Sequence, residues 1–379
     1  MNRTLLVPPI YLGSKPIHYS RFDALYQELA LSNKVGLRHC PCLSPLVPLP
    51  LECVEYFDQT YIPWDWLVDL DHVKQNQRLR QRRNLSETWI GESLNFSKSD
   101  ILFIKDSSPY QYRFLDTRSD VSATNHKFSE NIYISDLNAS RKRLVHVGTL
   151  FGSSRLHLQD PSNVIIRSNI RGSMSFNNPL LLDIANSIAT SLGPLFIGVH
   201  LRLGDGEFKN NAEKHARRAW RQVLCSILSY TEEEASALEN DFMDQLQYTS
   251  PYEREPSGVS RNALWCQHHL HTNASHLQLN IPIFISTDVD VNDPVFSGFR
   301  KTFPCIFFLS DFPVETAALD EIRNPFDGVR MKQILLPFVD ALVVGHAWRV
   351  VGTSNSTFSS FIQDVLWRKQ HDLQIVQRG

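Results

Sequence analysis

The sequence predicts an α/β protein whose carboxyl-terminal half is a doubly wound, largely parallel sheet. Two observations carry this. Short apolar runs at Leu195–Val199, Ile281–Ile285 and Cys305–Leu309 alternate with stretches of helical periodicity. Several of these runs also stop in polar residues of one kind. The first leads into His200, Arg202 and Asp205, the second into Ser286, Thr287 and Asp288, and Arg349-Val-Val into Gly-Thr-Ser-Asn-Ser-Thr-Phe-Ser359. Open α/β sheets bind ligands just beyond the carboxyl ends of their strands. A solvated strand end is the plainer reading of any one of these motifs; together they describe a crevice.

Taken in order, Thr4–Val7 reads as a strand stopped by Pro8-Pro9, and 21–31 as a helix with Phe22, Leu25, Tyr26 and Leu29 on one face. Residues 41–50 are Pro-rich and read as a loop, and 61–69 as an aromatic-rich helix start. The basic run 74–83 reads as a solvated helical face, since it lacks the interleaved aromatics of a nucleic-acid site. From Ile101 the texture turns to strands: 101–104, 110–115, 132–134 and 144–147, the last followed by the small-residue loop Gly152-Ser-Ser154. Asn178 caps a helix with Pro179 at its first position, running to 192. The domain boundary is placed there, giving 1–192 and 193–379.

Residues 212–229 and 232–246 read as helices, 247–280 as a loop and 329–347 as a buried helix. The loop carries Cys266, His268, His269, His271 and His276, whose spacing fits no standard zinc pattern, so an exposed loop is the plainer reading. At 353–359 five hydroxyl residues (Thr353, Ser354, Ser356, Thr357, Ser359) crowd a helix start. A plain N-cap needs one. Free N–H groups and hydroxyls at a helix start suit an anion, and Arg202 is the residue type that clamps phosphate or carboxylate. An arginine, a carboxylate and an anion-binding helix start together suit a nucleotide diphosphate.

Composition sets the bounds. The chain has 379 residues, 42% hydrophobic and 21% charged, with a net charge of -2. That is ordinary globular chemistry and argues against nucleic acid bound by bulk electrostatics. No transmembrane or signal segment is visible, which taken alone points to the cytoplasm. Against it stand an even set of cysteines (Cys40, Cys42, Cys53, Cys225, Cys266, Cys305) and Asn-x-Ser/Thr sequons at Asn2, Asn84, Asn95, Asn138, Asn273 and Asn355. These favour an oxidising, glycosylating compartment. The conflict disappears if the chain begins downstream of its true amino terminus. Cys40-Pro-Cys42 has neither redox-motif nor zinc spacing and reads as structural disulfides or buried thiols. Neither a Gly-x-Gly-x-x-Gly fingerprint, a Walker loop nor a Gly-x-Ser-x-Gly elbow occurs.

Gly198-Val-His-Leu-Arg-Leu-Gly-Asp205, Phe284-Ile-Ser-Thr-Asp288 and Gly352-Thr-Ser-Asn-Ser-Thr-Phe-Ser359, with Leu335-Leu-Pro-Phe-Val-Asp-Ala341 between the last two, resemble the GDP-fucose protein O-fucosyltransferase family. Asn2–Pro9 and Phe151-Gly-Ser-Ser-Arg155 are similar to fungal members. The resemblance implies a GT-B fold, two Rossmann-like domains with GDP-fucose in the cleft between them. The implied activity is inverting transfer of fucose to a hydroxyl of a protein or glycan in the endoplasmic reticulum or Golgi lumen. No cofactor and no active-site metal are implied, and any membrane anchor would lie outside this chain. It further implies that Arg202 is the catalytic residue, holding the β-phosphate as the GDP leaving group departs. His200, Gly204, Asp205, Thr287, Asp288, Ser356, Thr357 and Phe358 would bind the donor, with Asp288 on the guanine edge and Phe358 beside the guanosine. The family's Gly-Phe-Asn-Asn-Gln-type motif is missing, so the amino-terminal domain is expected to be incomplete. Either the sequence is truncated or the protein is a non-catalytic GDP-sugar binder; a related transferase using another GDP-sugar is a further alternative.

Overall fold

The computed structural model describes residues 3–13, 19–25, 34, 36–43, 46, 48–82, 86–118, 127–148, 155–243, 266 and 269–377. Phe151–Ser154, His268, and parts of the expected 21–31 and 232–246 helices and of the 247–280 loop lie outside them. The protein is mixed α/β and its sheets are mostly parallel. Its contacts separate into two compact units: Met1–Ser175 with Arg323–Arg330 and Val376–Gly379, and Phe176–Ile322 with Met331–Ile375.

In the first unit β1 (Leu5–Val7), β2 (Ile10–Gly13), β3 (Gln59–Ile62), β4 (Leu79–Gln81), β5 (Ile101–Ile104), β6 (Tyr112–Leu115), β7 (Glu130–Tyr133), β8 (Leu144–Val147) and β9 (Leu156–His157) form small sheets. β1 pairs in parallel with β4, β5 with β8, and β6 with both β7 and β9; β2 and β3 pair antiparallel. β4 corrects the sequence reading of 74–83 as one helical face. The helix there ends at Asn76, and Leu79-Arg-Gln81 is drawn into a strand by pairing with Leu5–Val7. Tertiary pairing overrides local charge patterning in so short a segment.

A buried ionic knot fastens Arg323–Arg330 to the rest of this unit. Lys34 Nζ donates to the carbonyls of Tyr56 and Gln59 and to Asp327 Oδ2, each at 2.6 Å. Thr60 Oγ1 donates to the same Asp327 oxygen, and Asn324 reaches Thr60 Oγ1 and the Tyr61 carbonyl. All three ammonium donors are satisfied, which a buried lysine requires.

The second unit is built on β10 (Ile197–Leu201), β11 (Ile283–Thr287), β12 (Ile306–Phe307) and β13 (Arg349–Gly352), all parallel in the order β12-β11-β10-β13. The chain winds outward from β10 through β11 to β12. It then returns along the Lys332–His346 helix to lay β13 on the other side of β10. The order reverses between β10 and β13, so the switch point of the doubly wound sheet lies there.

Both faces of this sheet are covered, which is why its strands read as continuous apolar runs. Ile197, Val199, Leu201, Ile283 and Ile285 pack against Trp220, Leu224, Phe296 and Phe299. Gly198 and His200 alternate to the opposite face. A Cβ on Gly198 would stand 2.9 Å from Ala347 Cβ and 3.0 Å from the Val344 carbonyl, so the Lys332–His346 helix rests directly on the strand backbone. The Pro179–Leu192 helix has the expected cap: Asn178 accepts a hydrogen bond from Leu181 N–H.

Candidate functional site at the sheet switch point

The polar strand ends converge beyond the carboxyl ends of β10, β11 and β13. Thr353, just past β13, stitches two of them together. Its N–H donates to the His200 carbonyl at 3.1 Å, and its Oγ1 accepts from Arg202 N–H at 3.0 Å. Asp288, just past β11, fixes the third, its Oδ1 accepting from Leu203 N–H at 2.7 Å and Gly204 N–H at 3.0 Å. Gly204 is required there, since a Cβ would meet the Asp288 carbonyl oxygen at 2.9 Å. Asp288, expected as a guanine partner, thus commits one carboxylate oxygen to shaping the turn after β10.

Arg202 is partly exposed. Its Nε and Nη2 engage Asp205 Oδ1 and Oδ2 at 3.0 and 2.7 Å, and its guanidinium lies 4.9 Å from the Phe208 ring centre. The Asp205 hydrogen bonds raise the guanidinium pKa further, and Asp288 adds to the effect. Arg202 therefore presents a permanent cation whose fork is held on one side by a carboxylate.

His200 sits behind it, 7% exposed, with Nδ1 2.7 Å from Ser359 Oγ and its ring edge-on to Phe358 at 5.2 Å. Burial, reinforced by the charge of Arg202, pushes its pKa down to about 4, so the imidazole is neutral at physiological pH. A neutral ring offers one donor and one acceptor and adds no charge of its own.

The third segment is a capped helix start. Ser356, 1% exposed, accepts from Ser359 N–H at 3.2 Å, and Asn355 before it takes a left-handed φ of 66°. The Thr357–Phe361 helix continues through the turns of Ile362–Trp367. Its first amides, on Thr357 and Phe358, have no acceptor within the helix. Thr357 is exposed. A Cβ on Gly352 would lie 2.8 Å from Ser359 Cβ, so only glycine lets β13 lie this close to the helix that carries the hydroxyls.

Thr287 stands apart. Its hydroxyl accepts a long 3.5 Å hydrogen bond from Val289 N–H and makes none with the Arg202 group. Ser286, already a polar strand end in the sequence, and Asp340 lie outside the expected donor-binding set but belong to this neighbourhood. Ser286 is level with His200 across β10 and β11, and Asp340 lies on the covering helix with Ser286 as its polar neighbour. Asp340 Oδ1 is sealed from solvent without a hydrogen-bond partner, and burial holds the carboxyl pKa well above the usual range. An acid inside the apolar run Ile334–Val344 was the available signal.

Among the described residues the histidine-rich loop gathers no three metal-ligating groups. Cys266 is bonded to Cys305, and His271 is tied to the Thr302 carbonyl at 2.9 Å. No helix among the described residues is long and apolar enough to cross a membrane.

Strand order, switch point and convergent polar groups define a doubly wound α/β domain with a polar crevice beyond the carboxyl ends of its strands. No protein-family profile and no curated protein matches the chain. Among solved structures it is similar to POFUT1 in complex with GDP-fucose, at 12% identity and a TM-score of 0.32, covering 84% of this chain and 83% of that one. It is also similar to POFUT1 in complex with GDP, at 11% identity and a TM-score of 0.36, covering 98% and 95%.

Proposed function

We propose that the protein is a GDP-fucose-dependent O-fucosyltransferase of GT-B type, with residues 193–379 as the donor-binding domain. The carrying observation is the placement of Arg202 at the switch point, tied through Thr353 to the hydroxyl-rich start of the 357–361 helix. A diphosphate placed there would meet a guanidinium, helix-start amides and the Thr357 hydroxyl, all suited to charge building on a departing GDP. Neutral His200 would orient the donor by hydrogen bonding without adding a proton-transfer step. The Asp288 oxygen left over from the turn, with Phe358, would read the guanosine. Fucose would pass with inversion to a hydroxyl of a protein or glycan. The disulfides and the exposed sequons Asn95, Asn138, Asn273 and Asn355 support a lumenal location.

The test is calorimetry with GDP, GDP-fucose and GDP-mannose, alongside an assay for fucose release. GDP and GDP-fucose are expected to bind in preference to GDP-mannose, with turnover of GDP-fucose. Binding without turnover would identify a GDP-sugar-binding pseudoenzyme, preference for GDP-mannose a different transferase, and no GDP binding would overturn the reading.

A further inference from the structure

The turn after β10 holds Arg202 from two directions. Asp205, at the cap position of the short Gly206–Asn210 helix, takes the Nε–Nη2 edge of the guanidinium at 3.0 and 2.7 Å. Phe208, in the same short helix, covers a face of it, with the guanidinium carbon over the ring, 4.9 Å from its centre. Gly206 between them takes a left-handed φ of 48°. A Cβ there would meet nothing within 4 Å, so the backbone conformation, not crowding, calls for glycine. Phe208 is half-buried and packs in turn on the His215 ring of the Ala212–Arg221 helix, 5.7 Å away.

The two contacts restrain different motions. The paired hydrogen bonds to Asp205 fix which edge of the guanidinium is engaged, yet they tolerate a tilt of its plane. An aromatic face opposes that tilt, because a planar guanidinium stacks on it and its charge is drawn to the ring quadrupole. With the Nε–Nη2 edge and one face taken, an anion is left the Nη1–Nη2 end. That end presents two parallel N–H groups, a fork that fits two oxygens on one centre.

We propose that Phe208 is a positioning residue, whose ring sets the plane of the Arg202 guanidinium so that its Nη1–Nη2 end meets two oxygens of a single phosphoryl group. Phe208 acts through Arg202. GDP as the ligand rests on the proposed donor site, but the Arg202–Phe208 pairing does not.

The experiment is a double-mutant cycle on the full chain: Phe208→Leu, Arg202→Ala and the two combined, followed by urea unfolding without ligand and by calorimetry with GDP. Leucine keeps apolar bulk and removes the π face. In the wild-type background Phe208→Leu is expected to weaken GDP binding by about two- to fivefold, the worth of a partly exposed cation–π contact. In the Arg202→Ala background it is expected to change nothing further. Phe208→Tyr, which keeps the face, is expected to bind GDP like wild type. Without ligand, Phe208→Leu is expected to lower the urea midpoint more in wild type than in Arg202→Ala. Equal GDP affinity of wild type and Phe208→Leu overturns the proposal. So does the same loss in both backgrounds, or an equal loss in Phe208→Tyr, since either would make the ring a packing element only. A wild type that binds no GDP fails the donor reading instead. The unfolding cycle then decides alone: coupling between the two positions upholds the pairing, and additivity overturns it.

Discussion

Arg202 grips Asp205 at two points, Nε to Oδ1 at 3.0 Å and Nη2 to Oδ2 at 2.7 Å. The pair leaves the remaining guanidinium N–H groups to serve an anion, because arginine carries five. Asp205 orients the cation rather than consuming it.

Arg202→Ala is therefore expected to weaken GDP binding by about 1.5–3 kcal/mol, the worth of hydrogen bonds to a charged group. Asp205→Ala is expected to weaken it several-fold by letting the fork swing. Isothermal calorimetry checks both, and tighter binding by Asp205→Ala would show that the carboxylate competes with the ligand.

His200 makes stability depend on acid. Its folded pKa of about 4 lies below the ordinary value of 6.5. The unfolded chain therefore takes up the proton first, and stability is lost as pH falls from about 6.5 towards 4, at up to about 1.4 kcal/mol per unit. His200→Asn is expected to flatten this part of the profile. Urea unfolding of both proteins between pH 7 and 5 measures it, and equal slopes would remove the assignment.

Asp340 works in the opposite sense. Its folded pKa is raised by burial, so its contribution is fully present below the unfolded value of 3.8 and is lost as pH rises through the folded one. Asp340→Asn, which cannot ionise, is expected to melt above wild type, by a margin that widens from pH 5 to pH 8. Thermal scans at the two pH values decide it; a constant or narrowing margin would count against a raised Asp340 pKa.

Gly198 and Gly298 form a matched pair of tests. Gly198→Ala drives a methyl group onto the Val344 carbonyl and Ala347 and is expected to cost about 1–3 kcal/mol, as overpacking does. A Cβ on Gly298, in the Ser297–Thr302 helix, meets nothing within 4 Å. Gly298→Ala is expected to be neutral or to stabilise by up to about 1 kcal/mol. The denaturant midpoint should fall below wild type for Gly198→Ala and at or above it for Gly298→Ala.

The second unit was readable because both faces of its sheet are buried. Ile197–Leu201 and Ile283–Thr287 stand out as apolar runs ended by polar residues, and Asn178-Pro179 marks a helix start by local chemistry alone. What escaped depends on partners distant in sequence. Nothing in Leu79-Arg-Gln81 announces a strand until Leu5–Val7 is beside it. Thr353 counts as one hydroxyl among five until its bond to Arg202 is seen. The raised pKa of Asp340 follows from desolvation of its carboxyl in the fold, which helical periodicity does not report.

The Lys34–Asp327 knot also bears on the order of events at the ribosome. The partners are 293 residues apart, so the amino-terminal unit emerges early but cannot close until nearly all of the chain has been made. Until then Lys34 has the carbonyls of Tyr56 and Gln59 within reach but not the Asp327 carboxylate. Such a long closure slows maturation and lengthens the time that a half-made chain needs shelter. An amino-terminal fragment produced alone would remain in that unfinished state, and supplying residues 323–330 as a separate peptide is the natural way to complete it.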